Sequence, residues 1–94
     1  MNSGERLAAR TTHKRTADRW RAKYAAFEAR ADTLADRIRA IEKRAKDAQW
    51  GAVRMRRATA PLMLAVSSLL GSQARCDAIT GRHDARVRAL AEPS

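Results

Sequence analysis

Uncharged residues recur along this chain at alternating steps of three and four. They begin at Ala17 and run through Trp20, Tyr24, Phe27, Ala31, Leu34, Ile38, Ile41, Ala45, Ala48, Ala52 and Met55. Charged residues make up 32% of the sequence, yet none falls on one of these positions. That spacing places every one of them on a single stripe of an α-helix. A helix apolar along one stripe is stable only when the stripe is covered, so the repeat demands a second helix. The chain has 94 residues, which is room for one small domain over 1–94. With four glycines, two prolines and 4% aromatic residues it is poor material for a small β-barrel. Its abundant alanine, arginine and leucine are good helix formers.

The spacing predicts an all-α fold: one long amphipathic helix over 16–57, preceded by a basic flexible or helical arm over 1–15. Thr59-Ala60-Pro61 reads as a break and restart, because Thr59 can cap a helix and proline is tolerated in a first turn. An apolar helix then follows over 60–72. Gly71-Ser72 and Gly81 are stop signals, and Asp84 is a cap for a short helix over 84–91. The tail Glu92-Pro93-Ser94 is expected to fray. The elements suggest a helical hairpin, and two hairpins would pair into a dimeric four-helix bundle. The repeat also stays in phase through Thr59, Leu62, Val66 and Leu69, so a continuous helix bent near Pro61 is an open alternative.

As a parallel coiled coil the stripe would put Tyr24, Ala31, Ile38 and Ala45 at a positions, and Trp20, Phe27, Leu34 and Ile41 at d positions. Lys23–Glu28 and Arg37–Glu42 would then pair between copies. Alanines alternating with large residues suit antiparallel packing equally well, and the sequence leaves the direction open. The predicted dimer interface is Trp20, Tyr24, Phe27, Leu34, Ile38, Ile41, Leu62, Val66 and Leu69. Within the helix, Asp36–Arg39, Glu42–Lys46 and Lys43–Asp47 have the spacing of intrahelical ion pairs.

Charge follows the stripe. The formal net charge is +10, from 20 Lys/Arg against 10 Asp/Glu. Residues 1–23 hold seven basic against two acidic groups, and residues 51–57 hold three basic groups and no acid. Four g positions, Lys23, Arg30, Arg37 and Arg44, form a basic column with steps of about 10 Å. Lys46, Arg54, Arg56 and Arg57 extend it. Such a column fits the phosphate backbone of a nucleic acid, with affinity that falls steeply with salt and little sequence readout. A base-reading zipper would need an asparagine in its basic arm, and none follows Asn2. A long helix laid along a duplex suits double-stranded RNA, which is recognised by shape and backbone.

Other classes have less support. The uncharged run 58–74 is short for a membrane span and holds Pro61, three serines, Gly71 and Gln73. His13 and His83 have no sequence neighbour to make a ligand set, and read as surface or seam residues. Cys76, the single cysteine, reads as a small buried side chain and fits a reducing compartment. The first ten residues have no secretory pattern, so the expected location is cytoplasmic. No carboxylate pair, phosphate loop or nucleophile motif is present. The sequence therefore predicts no catalytic residue, no cofactor and no metal.

Arg54-Met-Arg-Arg57-Ala58-Thr59 followed by Leu62 resembles the basic segment on the long RNA-binding helix of the nodavirus RNA-silencing suppressors. In this register Arg57 takes the place of a key RNA-contacting arginine. A second register, which excludes the first, matches Ser68-Leu69-Leu70 and Gly81-Arg82 to the helix end and turn that follow. It places Leu64 at that arginine and Lys46 and Arg57 at other basic positions. Each covers under a third of the chain, and Pro61 departs from the family pattern. The resemblance implies a small, basic, dimeric helical protein lying along double-stranded RNA and shielding it, in the host cytoplasm if viral. A fainter resemblance, to plasmid-mobilisation accessory proteins, implies DNA binding, although their C-terminal motif is not evident. A coiled-coil adaptor for a protein partner is the alternative from another class.

Overall fold

The computed structural model describes residues 1–91; the tail Glu92-Pro93-Ser94 lies outside the described residues. The chain is an all-α helical hairpin of two long helices, α1 (Ser3–Asp47) and α2 (Ala52–Ala91). Among the described residues there is no strand.

The expected arm over 1–15 is helical from Ser3 onward. Its start is fixed by a reciprocal cap: the Asn2 side-chain oxygen accepts from the Glu5 backbone N–H at 2.7 Å, and Glu5 reaches back to the Asn2 N–H at 3.4 Å. This satisfies donors that a helix N-terminus otherwise leaves open.

The reversal falls at Ala48–Gly51, inside the stretch that the periodicity predicts as one helix over 16–57. Gln49 adopts φ of 55° and closes α1 in a Schellman turn. The Trp50 N–H bonds to the Ala45 carbonyl at 2.8 Å and the Gln49 N–H to that of Lys46 at 3.2 Å. The Gly51 carbonyl then accepts from Met55 N–H at 3.1 Å and opens α2. The break expected at Thr59-Ala60-Pro61 does not occur, and the separate helices over 60–72 and 84–91 are parts of α2. Thr59 is buried, and its hydroxyl donates to the Met55 carbonyl at 3.0 Å within the helix instead of capping one. Pro61 is exposed, so the Arg57 carbonyl that it leaves without a helical donor lies on the solvent side. Reversal at Gly51 gives arms of 45 and 40 residues, which lets nearly the whole stripe find a counterpart.

The residues shielded from solvent lie on that stripe. Ala17, Ala31 and Ala45 are buried on α1, and Thr59, Leu69, Gln73, Cys76 and Thr80 on α2. On α2 these continue the three-four spacing as 59, 62, 66, 69, 73, 76, 80 and 83. Contacts divide the chain into two compact units rather than one. The terminal unit combines residues 1–25 with 73–91; the turn unit is residues 26–72.

In the terminal unit the two helices are registered by polar contacts. His13 Nδ1 and His83 Nδ1 lie 2.9 Å apart, with ring centroids at 5.2 Å. The histidines that look solitary in the sequence are therefore partners, because each occupies the seam of its own helix. Among the described residues no third His, Cys, Asp or Glu joins them to make a metal site. Arg21 bonds to Asp18 at 2.8 Å and to Asp84 across the seam. The Asp84 hydrogen bond raises the Arg21 pKa above its ordinary value. Cys76 is buried, as its sequence context suggests.

In the turn unit, Ile38 of α1 and Val66 of α2 line one groove between the helices. No helix among the described residues is long and apolar enough to cross a membrane.

Candidate nucleic-acid interface

The g positions of α1 stand beside the seam. Lys23, Arg30, Arg37 and Arg44 are all exposed, as are Lys46 near the end of α1 and Arg54, Arg56 and Arg57 on the first turns of α2. Seven of the eight belong to the turn unit; Lys23 belongs to the terminal unit, where its ammonium sits 4.1 Å from the Trp20 ring centroid.

The turn gathers residues that the sequence keeps apart. Because Ala48–Gly51 reverses the chain in four residues, Arg44 and Lys46 from the last turns of α1 share one end of the unit with Arg54, Arg56 and Arg57. Trp50, tied to Ala45 by the Schellman bond, lies under the Arg54 guanidinium, with Arg54 Cζ 4.1 Å from the ring centroid. Stacking of this kind holds the planar group while leaving its edge N–H donors for an oxyanion.

Local electrostatics sharpen the positive end. Arg44 and Lys46 complement the negative end of the α1 dipole. The first turn of α2 carries no acidic residue and does carry Arg54, with Arg56 and Arg57 following. Cations at a helix N-terminus are unfavourable by themselves, since that end already bears partial positive charge. A bound anion would relieve the conflict.

The turn unit holds five Asp/Glu against nine Lys/Arg. Of the three intrahelical pairs expected from spacing, Asp36–Arg39 forms, while Glu42–Lys46 and Lys43–Asp47 are not among the ion pairs of the described residues. None of the eight basic residues takes part in an ion pair among the described residues.

The residues expected to build a dimer lie along the intrachain seam. Trp20, Phe27, Leu34, Ile38, Ile41, Leu62 and Val66 are half-buried there, Leu69 is buried, and Tyr24 is 37% exposed. Tyr24 lines a shallow pocket of about 340 Å³ with Arg21, Asp77, Thr80, Gly81 and Asp84.

Column counting misses two sets of basic residues. Lys43 is beside Arg44 and exposed, but sits one position off the g column. Its signal is the plain cluster Lys43-Arg44-Ala45-Lys46. In the terminal unit Arg6 and Arg10 line a small pocket with Leu90 and Ala91, so the N-terminal arm and the end of α2 meet. Arg82, Arg86 and Arg88 are exposed in the same unit. That unit holds eleven Lys/Arg against four Asp/Glu over its described residues. Only the position of the chain reversal could have revealed this.

Comparison with known proteins gives no family. No family model matches the chain, and no curated protein or solved structure matches it either.

Proposed function

We propose that the protein binds duplex nucleic acid, double-stranded RNA in preference to DNA, through exposed cations that flank its helical seam. Two copies act together, and the bound duplex is shielded from other proteins, as an RNA-silencing suppressor would shield it. The observation that carries this reading is the turn end of the hairpin. There Arg44, Lys46, Arg54, Arg56 and Arg57 share one end of the turn unit, exposed and outside any ion pair among the described residues, where the first turn of α2 carries no acid. Arg30 and Arg37 extend the charge along α1 at heptad steps. A helical surface of this kind contacts phosphates and the edges of a wide, shallow groove, and among the described residues there is no strand to carry aromatic side chains for splayed bases.

The test is a titration of duplex RNA, duplex DNA and single strands over a series of salt concentrations. Each phosphate neutralised adds about 0.9 to the logarithmic salt slope, so engagement of all seven turn-unit cations gives a slope near −6. Arg54→Ala/Arg57→Ala is expected to flatten the slope by about 2 and to weaken binding equally for all duplex sequences. Equal, weak binding to all three nucleic acids would remove the RNA-specific reading. Unchanged affinity in the double variant would remove the turn end as the site.

A further inference from the structure

The turn unit has an apolar face that the hairpin seam does not use. At 100° per residue, Ala60, Met63, Ser67 and Leu70 fall along one side of α2, with Leu64 and Gly71 next to them. Met63 is 48% exposed, Leu64 72% and Leu70 55%. Met63 and Ser67 also border a groove of about 410 Å³ between the helices, floored by Ala35, Ile38 and Val66 and rimmed on α1 by Arg39 and Glu42. Large and small residues alternate here, a ridge beside gaps into which another ridge can fit. Scattered exposed apolar residues are ordinary; a continuous row beside a groove marks an interface.

Charge selects the occupant. Residues 58–74 contain no charged side chain, in a chain of net charge +10. Two copies that met over the basic faces of α1 would bring like charges together, whereas contact over this run avoids that repulsion. Area agrees. The chain exposes 7058 Å². That is an excess of roughly 1,700 Å² over the ~5,400 Å² typical of a compact 10.4 kDa monomer. A standard interface takes about 800 Å² from each partner, well within the excess.

We propose that a second copy of the chain docks on this face, α2 against α2 about a two-fold axis, through Met63, Leu64, Leu70 and the groove that Met63 and Ser67 border. This deepens the pairing of two copies invoked above by naming its surface, which is distinct from the heptad seam. Under two-fold symmetry the ridge of one copy meets the gaps at Ala60, Ser67 and Gly71 of the other. The basic column of each α1 then stays free.

Sedimentation equilibrium of the full chain without nucleic acid tests the proposal. The wild type is expected at about twice 10.4 kDa at tens of micromolar. Met63→Lys/Leu70→Lys is expected at the monomer mass with its helical circular dichroism kept. A second measurement stands should that variant unfold. In a Cys76→Ala background, Ser67→Cys should oxidise to a disulfide-linked dimer, and the exposed α1 control Ala29→Cys should not. A monomeric wild type overturns the pairing itself, even if it floats with anionic vesicles. A dimer that crosslinks through Ala29→Cys and not through Ser67→Cys overturns this surface alone. Nucleic-acid binding is read separately by the salt series, so either claim can fail without the other.

Discussion

Gln49 holds the backbone conformation on which the reversal depends, and it does so without the residue best suited to it. At φ of 55° a side chain crowds its own carbonyl, a conflict that glycine lacks. Gln49→Gly is expected to stabilise the fold by about 0.5–1 kcal/mol, read as a higher urea midpoint at unchanged slope. A lower midpoint would mean that Gln49 makes a compensating contact. Thr80 presents the opposite case. It is buried on the seam, and its hydroxyl oxygen has no hydrogen-bond partner among the described residues. Burying an unsatisfied hydroxyl costs about 1–3 kcal/mol. Thr80→Val, nearly the same shape, should therefore raise stability by about 1 kcal/mol in the same measurement. No gain would show that the hydroxyl is satisfied in solution.

Helix continuity is the main lesson at the level of elements, and Pro61 is where it can be tested. Inside a helix, proline is about 3 kcal/mol less favourable than alanine; in a first turn the difference is far smaller. The structure places Pro61 well within α2, exposed and without packing to lose. Pro61→Ala is expected to stabilise by about 2–3 kcal/mol. A nearly neutral result would restore a helix boundary at Thr59-Ala60-Pro61. The helical type of both elements was legible in the stripe, because its period is a property of each residue's position. The reversal point was not. The three-four count runs through Ala48, Ala52 and Met55 as though no turn existed, and proline is a louder local signal than a glutamine entering the left-handed region. What places the turn at Gly51 is the pairing of two stripes of similar length, a nonlocal gain that no single position displays. The basic column was legible for the same reason as the stripe. The gathering of Arg44, Lys46 and Arg54–Arg57 at one end, and the meeting of the N-terminal arm with Leu90 and Ala91, both follow from the reversal and stayed hidden with it.

For the whole chain, two paired helices can shield little. Among the described residues the buried apolar side chains are Ala17, Ala31, Ala45, Leu69 and Cys76, and three of these five are alanines. Large seam residues such as Phe27 and Leu34 remain half-exposed, so burial contributes only part of what those side chains could supply. A net charge of +10 adds self-repulsion. A hairpin of this kind is marginal alone, and anything that binds only the folded form adds stability by mass action. Cys76 offers a direct readout, being the single cysteine and 1% exposed on the seam. A thiol reagent reaches it only when the terminal unit opens, and when reclosing is fast its rate follows the population of the open state. If pairing stabilises the whole chain, labelling of Cys76 should slow as protein concentration rises, and slow further when duplex RNA is added. A hundredfold excess of ligand over its dissociation constant corresponds to about 2.7 kcal/mol, or a labelling rate lower by about a hundredfold. A rate independent of protein concentration, in a sample that sediments as a dimer, would show that the terminal unit opens on its own, and that the continuity of α1 and α2 does not carry stability from one unit to the other.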